Sequence, residues 1–163
     1  QWKGTIPAGK IVNQTATTMD MLPTLVHWAG GSAPKDRTID GFDIRSLLLE
    51  EQPTSPYAAF FYYQKEQLQA VRSGKWKLHL ALDSIYQSIH HPGFTDGRDP
   101  LLFDLENDPQ EQENVIDHHP EVAKQLKVLA EYAQTNLGDL GYAGHSVRPA
   151  AIVENPTVRL LER

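Results

Sequence analysis

AAFFYYQKEQLQAVRSGKWKLHL, running from Ala58 to Leu80, decides how this chain folds. Ala58–Tyr63 is an aromatic run of strand length, Leu68–Arg72 is a second strand and Lys75–Leu80 a third. In the third, Trp76, Leu78 and Leu80 alternate with Lys75, Lys77 and His79. A period of two sends the first set to one face and the second to the other, as in a half-buried antiparallel strand. Ser73-Gly74 supplies the tight turn, because glycine accepts the positive φ that such turns demand. The stretch predicts a β-meander, and the meander predicts the core.

Downstream, Asp83–Asp99 reads as a long polar loop containing Tyr86, His90 and His91. Leu101–Leu105 is a fourth strand, and Glu106–Asp117 an acidic turn region. Pro120–Leu137 is the strongest helix: Pro120 suits its first position, and Val122, Leu126, Leu129, Ala133 and Leu137 repeat at three-to-four spacing. Gly138 stops it. Residues 141–163 read as an irregular tail.

Upstream, Trp2–Gly9 is rich in turns and Val12–Ala16 reads as a short strand. Thr17–Ala29 switches to helical spacing through Met21, Leu22, Leu25 and Val26. Thr18 or Asp20 is the expected cap, Pro23 falls in the first turn, and Gly30-Gly31 ends the helix. Ser32–Asp40 is a loop. Asp43 caps a short helix over Ile44–Leu49, and a proline-containing linker follows. The architecture is α+β: a small antiparallel sheet of about four strands against a long C-terminal helix, with a helical lead-in. The units are a lead-in over 1–56, an α+β subdomain over 57–140 and a tail over 141–163.

The 163 residues suffice for one domain with a core, and a formal charge of −6 with no basic block argues against nucleic acid as a partner. The chain has no cysteine, which excludes disulfides, thiolate metal sites and a cysteine nucleophile within it. No run approaches the ~20 apolar residues of a membrane span, so no membrane partner is expected. The opening residues lack the layout of a signal peptide and read as a continuation of a longer polypeptide.

The seven histidines include two adjacent pairs, and adjacent side chains usually point apart. No metal site is expected here: His118-His119 read as a cap for the following helix, and His90 and His91 as exposed loop residues. The run Asp104, Glu106, Asp108, Glu111 and Glu113 lacks the spacing of a calcium loop and fits a strand end followed by an Asn-Asp-Pro turn. Arg72, Lys75 and Lys77 read as a solvated strand face. Lys65 differs: it sits in a turn beside Tyr62, Tyr63 and Gln64, all able to bind a polar ligand. No serine triad, nucleophile elbow, phosphate-cradling glycine loop or catalytic carboxylate pair is present.

Five segments, in order, resemble the carboxy-terminal part of the type I, formylglycine-dependent, arylsulfatase-like sulfatases. WKGTIPAGK is similar to the family's Trp-Pro-Gly-x-Ile-x-x-Gly. ATTMDMLPTLVHWAGG is similar to its Asp-φ-x-Pro-Thr helix (φ being apolar), and IDGFDIRSLL to its Asp-Gly-x-Asp element. AVRSGKWKLHL resembles its Ala-Val-Arg-x-Gly-x-Trp-Lys strand pair, and LFDLENDPQEQENV its Tyr-Asp-Leu-x-x-Asp-Pro-x-Glu-x-x-Asn. The resemblance covers Trp2 to about Leu137.

It implies sulfate-ester hydrolysis by a parent protein in which a Cys or Ser of Cys/Ser-x-Pro-x-Arg becomes formylglycine beside a bound calcium. Neither group can be placed here. Ser32-Ala33-Pro34-Lys35-Asp36 has Asp36 where the arginine must stand. Calcium and formylglycine are therefore expected in an amino-terminal catalytic domain that is the chain's partner. The chain itself is expected to be inactive alone and to lend Tyr62, Tyr63, Gln64, Lys65, His90 and His91 to the rim of a pocket for a sulfated carbohydrate or aryl sulfate. Two other readings stand beside it: a relative acting on phosphate or phosphonate esters, and a stand-alone binding or oligomerisation module. The first reading expects an apolar face on the Met21–Trp28 helix or the aromatic strand, which a homodimer would also cover. The resemblance further implies export, and Asn13-Gln14-Thr15 fits a glycosylation acceptor.

Overall fold

The computed structural model describes residues 2–50, 53–87, 93–149 and 152–154. The meander forms as β1 (Phe60–Gln64), β2 (Gln67–Ser73) and β3 (Trp76–His79). β4 (Leu82–Tyr86) and β5 (Phe94–Arg98) pair with each other, and β6 (Leu101–Asp104) returns to β3. The main sheet is antiparallel in the order β1-β2-β3-β6.

Register explains the core. Phe61, Val71, Leu78 and Leu102 stand abreast on one face. Against them lies the long helix. With α1 (Met21–Trp28) and α2 (Arg45–Leu49) in the lead-in, that helix is α3 (Pro120–Leu137). It presents Ala123, Leu126, Ala130 and Ala133. Leu68, Val71, Leu78, Leu102 and Leu126 are each at most 2% exposed, and each such side chain contributes about 1.5–3 kcal/mol of burial. The buried stripe is rotated from the expected one: Val122 and Leu129 line its margin and Leu137 is 44% exposed. Alanine reads weakly as apolar, yet its small side chain lets the helix sit close to the sheet.

The period of two breaks once. Tyr62 pairs with Ala70 and Tyr63 with Leu68, so Gln69 has no residue opposite it. A bulge of this kind re-aims the side chains on either side. Here it lets Leu68 and Val71 both reach the helix-covered core, while Gln67 and Gln69 both reach β4.

Several expectations need correcting. The loop expected over Asp83–Asp99 is the β4–β5 hairpin as far as its described residues go. Gly97 permits that hairpin, since a Cβ there would meet Leu82 O at 2.1 Å and Asp83 O at 2.3 Å. Val12–Ala16 forms no strand. His119 stands at the N-cap of α3 without a side-chain cap bond, and its ring instead packs 4.6 Å from the Trp76 ring. Just before the expected tail lies β7 (Gly138–Asp139), and β8 (Tyr142–Ala143), at the tail's start, pairs with it in a two-residue ladder.

The lead-in is capped one residue earlier than expected. Thr17 Oγ1 accepts from Met19 N, and Asp20 Oδ2 accepts from Thr17 N, a reciprocal box that opens a short 3-10 turn into α1. Asp43 Oδ1 accepts from Arg45 N at the start of α2. The segment that enters β1 is bonded back to the start of the lead-in: Tyr57 Oη donates to Asp20, and Ser55 Oγ donates to Thr15 O.

Candidate functional site

β1 ends in a turn at Lys65-Glu66. Lys65 has φ 53, a left-handed conformation that non-glycine residues adopt mainly where the surroundings enforce it. Its ammonium donates to Tyr86 Oη on β4 and lies 4.3 Å from the centre of the Tyr86 ring. Phe94 of β5 also packs against that ring, T-shaped with the ring centres 4.8 Å apart. Gln64 Nε2 donates to Gln87 O at 3.0 Å. One strand end therefore gathers an exposed ammonium, a phenol and a carboxamide.

The hairpin bearing Tyr86 is held to the sheet by side chains. Gln67 Nε2 donates to Ser84 O at 2.7 Å, and Gln67 Oε1 accepts from Tyr86 N at 2.7 Å. Gln69 Nε2 donates to Tyr86 O at 2.8 Å. Arg98 reaches back to Leu80 O and Gln69 O, and its burial lowers its pKa from the ordinary guanidinium value.

The sheet separates the expected rim residues. Tyr62 lies on the face turned away from α3, its ring 5.0 Å from Phe60 and 4.7 Å from Lys77 Nζ. Tyr63 points to the helix face, where its hydroxyl donates to Gly138 O at 2.9 Å. Burial, then the nearby Asp139 carboxylate, pushes the Tyr63 phenol up to about 12. Asp139 itself accepts from Leu68 N and Gln134 Nε2. Gln64 and Lys65 come together with Tyr86. His90 and His91 lie outside the described residues.

Lys77 is not on the solvated face expected of it, and His79 two residues on is covered with it. Their side chains are 14% and 21% exposed, and both close on Glu111, at 2.5 Å from Lys77 Nζ and 2.6 Å from His79 Nε2. Glu111 too has a positive φ, 57. Burial lowers the His79 pKa below its ordinary value against the opposing pull of Glu111. Burial raises that of Glu111, but its bonds to Lys77 and His79 outweigh this and leave it lowered.

Among the described residues no three His, Asp or Glu side chains converge as cation ligands. Asp36, where the formylglycine motif would need its arginine, is spent on an exposed pair with Arg37 at 2.6 Å. The described residues do not fit a calcium site, and the sequence holds no Cys/Ser-x-Pro-x-Arg precursor of formylglycine. What the strand end can do is bind: it offers donors to a polar or anionic group, and no nucleophile paired with a base.

The structure brings Gln64 and Lys65, both expected at the rim, beside Tyr86, Gln67 and Gln69, which the sequence did not single out as site residues. The available signal was glutamine at alternate positions, 67 and 69, in a strand whose neighbours are buried.

The family model for the C-terminal region of aryl-sulfatase matches residues 55–160. The chain is 31% identical over 157 residues to human arylsulfatase D, covering 82% of this chain and 26% of that protein. It is 37% identical over 131 residues to an arylsulfatase of Hemicentrotus pulcherrimus, covering 68% and 23%. A crystal structure of the PsFucS1 sulfatase from Pseudoalteromonas sp. shares the fold at TM-score 0.65 and 23% identity, covering 80% of this chain and 28% of that one. The chain thus spans about a quarter of the length of the relatives it matches.

Proposed function

The chain belongs to the family of arylsulfatase C-terminal regions, and from that membership we propose that it forms the pocket rim and docking surface of a sulfuric ester hydrolase. The groups that cleave the ester, calcium and formylglycine among them, belong on this reading to a catalytic domain elsewhere in the polypeptide. When bound, calcium would supply charge to a sulfate and formylglycine the nucleophile. The chain's own residues supply binding: Tyr62, Gln64 and Lys65 would meet the sugar or aryl group of a sulfated substrate. Tyr63 holds their strand to the β7–β8 ladder.

The observation that carries this reading is the convergence of Lys65, Gln64 and Tyr86 on one strand end. A second support is the half-exposed apolar face of α1, with Met21, Leu22 and Leu25 each 49–55% exposed, which suits burial against the catalytic domain. The aromatic strand β1, the other face considered, is only partly exposed. No helix among the described residues is long and apolar enough to cross a membrane. We place the parent protein in an exported compartment, in keeping with the exposed Asn13 of its acceptor triplet.

Kinetics of the full-length protein test the rim. Lys65→Ala should raise KM for a sulfated saccharide or aryl sulfate by roughly tenfold, the loss of one charge-assisted contact, with kcat little changed. Unchanged KM for substrates of both classes would remove Lys65 from the rim.

A further inference from the structure

β4 has two edges. One is paired with β5 through Gln87 N to Gly93 O and the ladder above it. The other turns Ser84 O, Tyr86 N and Tyr86 O toward the main sheet, where no strand among the described residues pairs with them. An edge left in this state costs free energy when it is covered, because each peptide group needs a partner.

Gln67 supplies that partner. Its carboxamide donates to Ser84 O and accepts from Tyr86 N, both at 2.7 Å. One donor and one acceptor bonded to residues two apart are what a single residue of a parallel neighbouring strand would offer through its own N–H and C=O. Gln67 is only 5% exposed, and the bulge at Gln69 is what turns it toward β4. Its Oε1 also accepts from Gln69 Nε2 at 3.2 Å, which fixes the orientation of the amide. Tyr86 is thereby held at its backbone, while its ring and hydroxyl meet Lys65.

We propose that Gln67 is a positioning residue for substrate binding: by standing in for a missing strand it sets where Tyr86 and Lys65 sit at the rim. This rests on the rim reading above. Gln67 touches no substrate and acts through Tyr86. The amide group is specific to the task. A carboxylate would keep the bond from Tyr86 N and lose the one to Ser84 O, and an aliphatic side chain would lose both.

The test uses the full-length protein and a sulfated aryl substrate. Gln67→Leu should raise KM by about tenfold while kcat stays within a factor of about two. Combined with Lys65→Ala, it should add far less than its own effect, because both changes disable the same contact. If Lys65→Ala raises KM and Gln67→Leu does not, the positioning role fails and the rim stands. If Lys65→Ala leaves KM unchanged, both fall. A measurement on the unmodified protein guards against a variant that does not fold. The Tyr86 amide points away from β5 and should nevertheless exchange its hydrogen slowly, as a ladder amide does. Exchange at the rate of a free loop amide overturns the proposal.

Discussion

Tyr57 Oη donates to Asp20 Oδ1 across 2.5 Å, and Asp20 is fully buried. The same carboxylate accepts from Thr17 N at 2.6 Å and Phe42 N at 2.8 Å. It ties the entry of α1, the loop before α2 and the strand entering the sheet into one knot. Gly41 is part of it, since a Cβ there would meet Met19 O at 2.0 Å. Asp20→Ala removes a buried acceptor from three part-buried donors and should cost about 2–3 kcal/mol, whereas Tyr57→Phe should cost about 1–1.5 kcal/mol. Denaturant unfolding, with the two variants compared at equal m-value, measures both.

Alkaline pH should loosen the fold at two phenols. Burial first, and then a carboxylate, pushes Tyr57 and Tyr63 from 10.0 up to about 12. Above pH 10 the unfolded chain releases these protons and the folded chain keeps them. The unfolded state then binds fewer protons, so stability falls as pH rises through this window and levels off beyond the folded values. Tyr57→Phe with Tyr63→Phe should flatten the fall, read as the unfolding midpoint at pH 9, 10 and 11. An equally steep decline in the double variant sinks the assignment.

Acid acts at the opposite side of the sheet. His79 is held below its ordinary value of 6.5 by burial, and by Lys77 and Arg98, while Glu111 opposes them. The ring meets the Glu111 carboxylate through Nε2, and an ionised carboxylate can only accept. As pH falls below 6.5 the unfolded histidine takes up a proton that the folded one resists. The unfolded state then binds more protons, and stability drops. His79→Gln should remove this component from an unfolding series between pH 7 and 5. Glu111→Ala, which leaves Lys77 and His79 without their acceptor, should cost about 1.5–3 kcal/mol at pH 7.

Gly97→Ala should open the β4–β5 hairpin. The new methyl would lie 2.1 Å from Leu82 O and 2.3 Å from Asp83 O, both backbone atoms that cannot swing aside. We expect the Tyr86–Phe94 contact to be lost from the proton spectrum while the Leu78, Leu102 and Leu126 core remains ordered.

The meander, the fourth strand and the bounds of α3 were legible because each is written in a local period: alternation in Trp76–Leu80, three-to-four spacing after Pro120. The hairpin was not legible. Its strands carry Asp83, Ser84, Asp96 and Gly97, and its inner edge is completed by glutamine side chains far away in sequence. The bulge at Gln69 depends on which residue of β1 lies opposite. For the same reason the expected rim placed Tyr62 and Tyr63 together, although adjacent strand residues point to opposite faces. The union of Glu111 with Lys77 and His79 joins two sequence motifs that separately showed no reason to contain those residues.

The face of α1 gives the last prediction. Met21, Leu22 and Leu25 are 49%, 55% and 50% exposed, beside Met19 and Phe42 at 46% and 42%. Pro23 and Thr24 are the residues of this helix turned inward. Thr24 Oγ1 accepts from Ile44 N, so the buried side is fixed by polar bonds as well as packing. A charge at Leu22 or Leu25 should therefore leave the isolated chain's own fold within about 0.5 kcal/mol of its starting stability. If α1 docks on a catalytic domain as proposed, the same charge in the full-length protein would be buried without a partner and should cost several kcal/mol. Leu22→Glu with Leu25→Glu should accordingly make the isolated chain less prone to self-associate in sedimentation. It should lower the yield of folded full-length protein sharply. If the substitutions are harmless in both settings, α1 faces water in the parent too, and the docking role belongs to another surface.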